Sequence, residues 1–152
     1  ADLAAEALFG ESSELYLRLY ERGLIDSSFG GGFETLEDCA MLCAGGDSDH
    51  PGQVRDEICR EAERLAAGGI NESAFLRMKR SALGRRIRGL DSMDGTAFRV
   101  CAYHYADFDY FRFPEIYRGI GAEEICAFLR RAVRAERCSL SVIYPVSKEA
   151  QS

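Results

Sequence analysis

Six cysteines, two histidines and one dense run of basic side chains are the residues of this sequence best suited to chemistry. The cysteines are Cys39, Cys43, Cys59, Cys101, Cys126 and Cys138. None forms a Cys-x-x-Cys pair, so the usual zinc-knuckle and redox spacings are absent. Cys39 and Cys43 lie four apart in what reads as a strand, on one face but about 13 Å apart at ~3.3 Å per residue, too far to bridge each other. Each remaining cysteine sits inside an apolar helical or strand pattern, which reads as small buried hydrophobes in a reducing cytosol. A Cys nucleophile paired with His50 or His104 would need a local motif, and neither histidine has one. His104, between Tyr103 and Tyr105, reads as a packed or half-exposed structural residue. Two histidines so far apart also exclude most histidine-rich metal sites.

All but Lys79 and Lys148 of the 19 basic residues are Arg. Arg77, Lys79, Arg80, Arg85, Arg86 and Arg88 form a run without an acid, which could make a phosphate-binding face. The rival reading is the solvated side of an amphipathic helix whose apolar side is Phe75, Met78, Ala82, Leu83, Ile87 and Leu90. A net charge of −6, a pI near 5.0 and the lack of interleaved aromatics favour the helix, and argue against nucleic-acid or acidic-membrane binding. Asp47 and Asp49 resemble the start of a calcium loop, but the later ligands do not follow at the required spacing. Gly30, Gly31 and Gly32 have no Lys-Ser/Thr after them, so they are not a phosphate loop. They read as a bulge or a close approach by another backbone.

The elements that must position these groups follow from periodicity and punctuation. Residues 2–9 are helical and stop at Gly10. Ser12 or Ser13 caps a second helix, with Leu15, Tyr16, Leu19 and Tyr20 on one side, ending at Gly23. Residues 25–35 place Phe29, Gly31, Phe33 and Thr35 on one face of a strand. A short turn at Leu36, Glu37 and Asp38 joins it to 39–45, apolar on both faces and so expected to be covered on both. Helix 52–67 turns Val54, Ile58, Ala62 and Leu65 inward and pairs Asp56 with Arg60 outward. Asn71 caps a helix over 72–89, and Ser92 caps another over 93–106 with Met93, Ala97, Cys101 and Tyr105 on one stripe. Pro114 opens a short helix, and helix 122–134 buries Ile125, Phe128, Leu129 and Ala132. The alternation of Cys138, Leu140, Val142 and Tyr144 with Ser139, Ser141 and Ile143 predicts a third strand over 138–145.

The fold class is therefore α+β, with helices packed on a small, mainly antiparallel sheet, and 1–152 read as a single domain. At 47% hydrophobic residues, 152 positions suffice for one core. No apolar run approaches the roughly 20 residues of a membrane span, and no signal-peptide pattern opens the chain, so a cytoplasmic location is expected. A three-stranded sheet has two open edges and must also cover a doubly apolar strand. That is thin for one domain, and the expected remedy is strands from elsewhere in a longer chain or from another chain. The first residue, Ala1, is not Met, which fits a natural start upstream.

Five stretches carry a resemblance: EALFGESSELYLRLYERGLIDSSF (6–29), AGGD (44–47), LGRRIRGLDS (83–92), FPEIYRGIGAEEI (113–125) and ERCSLSVIYP (136–145). In this order and spacing the chain resembles the closing part of the zinc-peptidase family of pitrilysin, insulin-degrading enzyme and mitochondrial processing peptidase, nearest its processing-peptidase-like bacterial branch. The resemblance implies most of the last domain of a clamshell of two halves, without that domain's opening strands. It also implies a zinc held elsewhere, in the N-terminal half, by His-x-x-Glu-His and a distant Glu, with peptides as the parent's substrate. His50 is followed by PGQV and His104 by YADF, so no catalytic or metal-binding residue is expected here, and no cofactor. Relatives contribute a substrate-contacting Arg and Tyr from a segment of the type Leu-Arg-Glu-x-x-Gly-Leu-x-Tyr. Here Gly23 and Leu24 match, Asp26 stands where the Tyr would be, and Arg18 and Arg22 are each offset from the Arg position. The resemblance thus assigns no substrate-binding residue. It implies a chamber-wall role, with the N-terminal half of the same chain as partner. The rival readings are an inactive partner subunit of a two-subunit peptidase and an interaction module that dimerises through its sheet edges.

Overall fold

A computed structural model describes residues 1–36 and 39–145. Seven α-helices and one β-hairpin make up the described residues: α1 (Asp2–Phe9), α2 (Glu14–Glu21), β1 (Gly30–Leu36), β2 (Cys39–Gly45), α3 (Pro51–Gly68), α4 (Glu72–Arg88), α5 (Met93–Tyr105), α6 (Phe113–Gly119) and α7 (Ala122–Ala132). The class is α+β, as the patterning requires. Local chemistry explains most boundaries. The Ser13 hydroxyl accepts the Tyr16 amide at 3.0 Å to start α2 and donates to the Leu8 carbonyl at 2.9 Å, tying that start to α1. Asn71 accepts the Ser73 and Ala74 amides, and Ser92 accepts the Gly95 amide. Gly23 takes φ +64° where α2 ends, a conformation that favours glycine.

Helix α1 lies at the centre, touching β1, α2, α3, α4 and α7. Leu8, Leu15, Leu19 and Leu129 are fully enclosed there, and α3 runs along α7. Strands β1 and β2 pair antiparallel from Gly30 opposite Gly45 to Leu36 opposite Cys39. Phe33 meets Phe128 of α7 edge-on, with centroids 6.2 Å apart. Of the three glycines only Gly31 marks a close approach: a Cβ there would stand 2.6 Å from the Phe9 ring and 2.7 Å from the Cys43 carbonyl oxygen. Gly30 and Gly32 face open space, and the one-to-one register with β2 leaves no bulge.

Several expectations need correction. Residues 25–29 are not strand; they fold Ile25 and Phe29 into the core before β1 begins. Strand β2 is not covered on both faces. Cys39, Ala40, Met41, Cys43 and Ala44 are exposed and only Leu42 is half-buried, because helices pack on one side of this hairpin alone. Residues 138–145 have the alternation of a strand but no strand geometry. A strand is defined by a hydrogen-bonded neighbour, and none pairs with this segment among the described residues. On α5 the stripe of Met93, Ala97, Cys101 and Tyr105 faces solvent, while Val100 and Tyr103 pack inward. This helix is apolar around much of its girth, so periodicity alone does not choose the face. The turn at Glu37 and Asp38 lies outside the described residues.

Candidate functional site

The segment from α2 into β1 is where the resemblance would put substrate contacts. Its two arginines are engaged inside the molecule. Arg22 donates to Glu57 at 2.7 Å, and Arg18 donates to Glu61 at 3.0 Å. Both acceptors lie on α3 and are buried, 5% and 3% exposed. Arg60 reaches Glu57 at 3.1 Å, and Arg64 holds Glu61 through Nε and Nη2, with a further contact from Nη2 to Glu14. The expected pair of Asp56 with Arg60 is thus replaced: Arg60 turns to Glu57, and Asp56 takes Arg55. Hydrogen bonding from Arg22 holds the Glu57 carboxyl below its ordinary range. Burial pushes Glu61 up, but hydrogen bonds from Arg64 and Arg18 outweigh it and hold this carboxyl low as well.

Asp26 accepts both the hydroxyl and the amide of Ser28, which lowers its pKa and closes a tight turn. Ser28 in turn accepts the Asp47 amide, and the Ser48 hydroxyl donates to the Leu24 carbonyl. The residue standing at the Tyr position, with Asp47 of the calcium-like pair, therefore ties two loops together.

The basic run divides. Lys79 donates to the Arg118 and Ile120 carbonyls, Arg85 pairs with Glu6 at 2.7 Å, and Arg86 reaches Asp2 at 3.2 Å. Arg86 also sits among the rings of Tyr103, Tyr110, Phe113 and Tyr117, each 5.7–6.0 Å from its guanidinium carbon. Half of the run thus holds α4 to its neighbours, and a continuous phosphate-binding face does not form. Pattern reading missed this cage; the crowding of aromatics from Tyr103 to Tyr117 was its signal. It also missed the buried Glu57 and Glu61, although each is adjacent on α3 to inward positions such as Ile58 and Ala62.

The cysteines depart from the expected burial. Only Cys126 is buried; Cys39, Cys43 and Cys101 are exposed, and Cys59 and Cys138 are partly so. Cys39 and Cys43 stand on an uncovered strand and Cys101 on the solvent face of α5, so the elements form as read but nothing lies over them. Neither His50, at the start of α3, nor the exposed His104 is brought to a cysteine by a hydrogen bond. Among the described residues no three His, Cys, Asp or Glu side chains converge as a metal would need, so these residues do not fit the zinc of the resembled family.

The described residues thus form an α+β domain of helices packed on one hairpin, with no metal-binding set among them. Residues 1–82, more than half of the chain, match the family model described as the Peptidase M16 inactive domain, and the chain belongs to that family. It is 27% identical over 147 residues to YmfH of Bacillus subtilis (strain 168), named an uncharacterized zinc protease, covering 96% of this chain and 34% of that protein. The crystal structure of an M16-like peptidase from Alicyclobacillus acidocaldarius has the same fold, with a TM-score of 0.79 at 24% identity, over 88% of this chain and 32% of that one. The chain spans about a third of the length of the relatives it matches.

Proposed function

We propose that this chain is the non-catalytic wall of the chamber of a zinc-dependent peptidase whose metal is carried by residues outside it. The observation that carries this reading is the match to the inactive domain over 1–82, continued along 96% of the chain in a relative named a zinc protease. The uncovered apolar faces of β2 and the exposed Leu140, Ile143 and Tyr144 support it, since such surfaces are suited to cover by the rest of a larger fold. Peptides are the substrate in this reading, and the N-terminal half of the same polypeptide is the partner. The exposed free thiols Cys39, Cys43 and Cys101 suit a reducing compartment, so we place the parent in the cytoplasm, which cell fractionation tests.

The test is hydrolysis of quenched fluorogenic peptides with zinc present. The chain alone is expected to be inert, and to support chelator-sensitive hydrolysis when joined with a His-x-x-Glu-His-bearing half encoded upstream. Chelator-sensitive hydrolysis by the chain alone would overturn the proposal. So would a gene with fewer than about 250 upstream residues of processing-peptidase-like sequence, on typical domain sizes. Asp26 favours one second reading, an inactive partner subunit, because its carboxylate is spent on Ser28 where relatives place a Tyr. An upstream region without an intact His-x-x-Glu-His would select it. A stand-alone module pairing through its sheet edges predicts dimers by light scattering, and a monomer at high concentration excludes it.

A further inference from the structure

Cys59 and Cys138 are 79 positions apart in sequence, yet their sulfurs lie 3.6 Å apart. Cys59 projects from the middle of α3; Cys138 follows the turn Ala135–Arg137 that leads out of α7. The Cys59 thiol is directed at the Cys138 sulfur, and the Cys138 thiol donates to the Arg134 carbonyl at 3.2 Å. Both residues are partly exposed, so a small reagent can reach them. Arg55, one turn before Cys59 and held by Asp56, lies close enough to exert its charge on both sulfurs. We propose that Cys59 and Cys138 form a thiol–disulfide exchange site, closed by small-molecule disulfides of the glutathione class, that staples α3 to the segment beginning at Cys138.

The order of events follows from the two thiols. Burial and the neighbouring Cys138 push the Cys59 thiol up to about 11, so it stays protonated near neutral pH. Because the Cys59 thiol points its hydrogen at the Cys138 sulfur, Cys138 is assigned as the attacking sulfur. Once it has given up its proton it bonds to one sulfur of the reagent, the reagent's S–S bond breaks, and one thiolate leaves. Cys59 then loses its proton to solvent and attacks the Cys138 sulfur, expelling the second reagent thiolate. The two protein thiols are oxidised to one disulfide, and the reagent disulfide is reduced to two thiols. The sulfurs need approach only from 3.6 Å to the roughly 2.05 Å of a disulfide.

The experiment treats the chain with oxidised glutathione at neutral pH, in a background carrying Cys39→Ser, Cys43→Ser and Cys101→Ser to remove the exposed competitors. Intact mass and peptide mapping without reductant are expected to show the loss of two hydrogens, no adduct and a Cys59–Cys138 cross-linked peptide. A reductant should reverse it, and closing so long a loop should raise Tm by roughly 10 °C. Adding Cys59→Ser should trap a glutathione adduct on Cys138, whereas adding Cys138→Ser should leave Cys59 unmodified. Stable adducts on both residues without a link, or a link to Cys126, would overturn the site; rapid adduct formation on Cys59 in the Cys138→Ser chain would overturn the order of attack. The same map on the unsubstituted chain reads the cross-link without relying on any variant.

Discussion

Replacing Arg18 and Arg64 together with Ala should be far more damaging than replacing the carboxylate they serve. Glu61 is 3% exposed, and the arginine hydrogen bonds that satisfy it come from Arg18 at 3.0 Å and from Arg64 at 2.7–3.2 Å. Removing both cations leaves a buried charge without a partner, which costs about 3 kcal/mol, the low end for a broken buried pair because both arginines are partly solvated. Glu61→Leu instead removes the charge and lets both arginines return to water or, for Arg64, to Glu14, so its cost should stay below about 1.5 kcal/mol. Urea unfolding followed by circular dichroism measures both. The pH dependence adds a sign. Glu57 and Glu61 have folded values below their ordinary 4.5, so their stabilisation is fully present above that pH and is lost as pH falls through the folded values. In the double variant the stripped Glu61 prefers its neutral form, so the gap to the unsubstituted chain should shrink as pH falls toward 4. Equal losses for the double variant and Glu61→Leu, or a gap that widens in acid, would refute the reasoning.

Three further outcomes are expected in the same assay. Leu129→Ala, at a fully enclosed position of α7, should cost about 2–5 kcal/mol, and a loss under 1 kcal/mol would mean the site collapses freely. Gly31→Ala puts a methyl 2.6 Å from the Phe9 ring and 2.7 Å from a backbone oxygen, so it should destabilise by about 1–3 kcal/mol; neutrality would show that the hairpin shifts to accept it. Gly84→Ala, inside α4 with open space around its Cβ position, should stabilise by about 0.5–1 kcal/mol, read as a higher denaturation midpoint.

Chain-local chemistry carried the helices. Ser13, Asn71, Ser92 and Pro114 act within a few residues of themselves, so their effect is visible in the letters, and boundaries follow to within a residue or two. What failed was what depends on distant neighbours. The alternation at 138–145 states which face a strand would bury but not whether a strand is there to pair with it. The apolar composition of β2 says it wants cover, not that this chain supplies it. Cys39, Cys43 and Cys101 were misplaced for that reason, since their elements are correct and their surroundings are not. The absence of His-x-x-Glu-His was legible directly, because a metal-binding motif is local. The pairing of Arg18 and Arg22 with Glu57 and Glu61 was not, because periodicity ranks a glutamate as outward whatever faces it.

That pairing also sets an alignment. Arg18 on α2 and Arg22 at its C-terminal cap stand one helical turn apart, and Glu57 and Glu61 are one turn apart on α3, so the two pairs mesh like teeth of equal pitch. Sliding one helix along the other by a turn, about 5.4 Å, would bring only one arginine onto one carboxylate and leave the other tooth empty. Leucines such as Leu15, Leu19 and Leu65 would tolerate such a slip far better, since apolar contact has little direction. The charged pairs thus act as a vernier that selects a single axial offset, and fix where the loop holding Asp26 emerges.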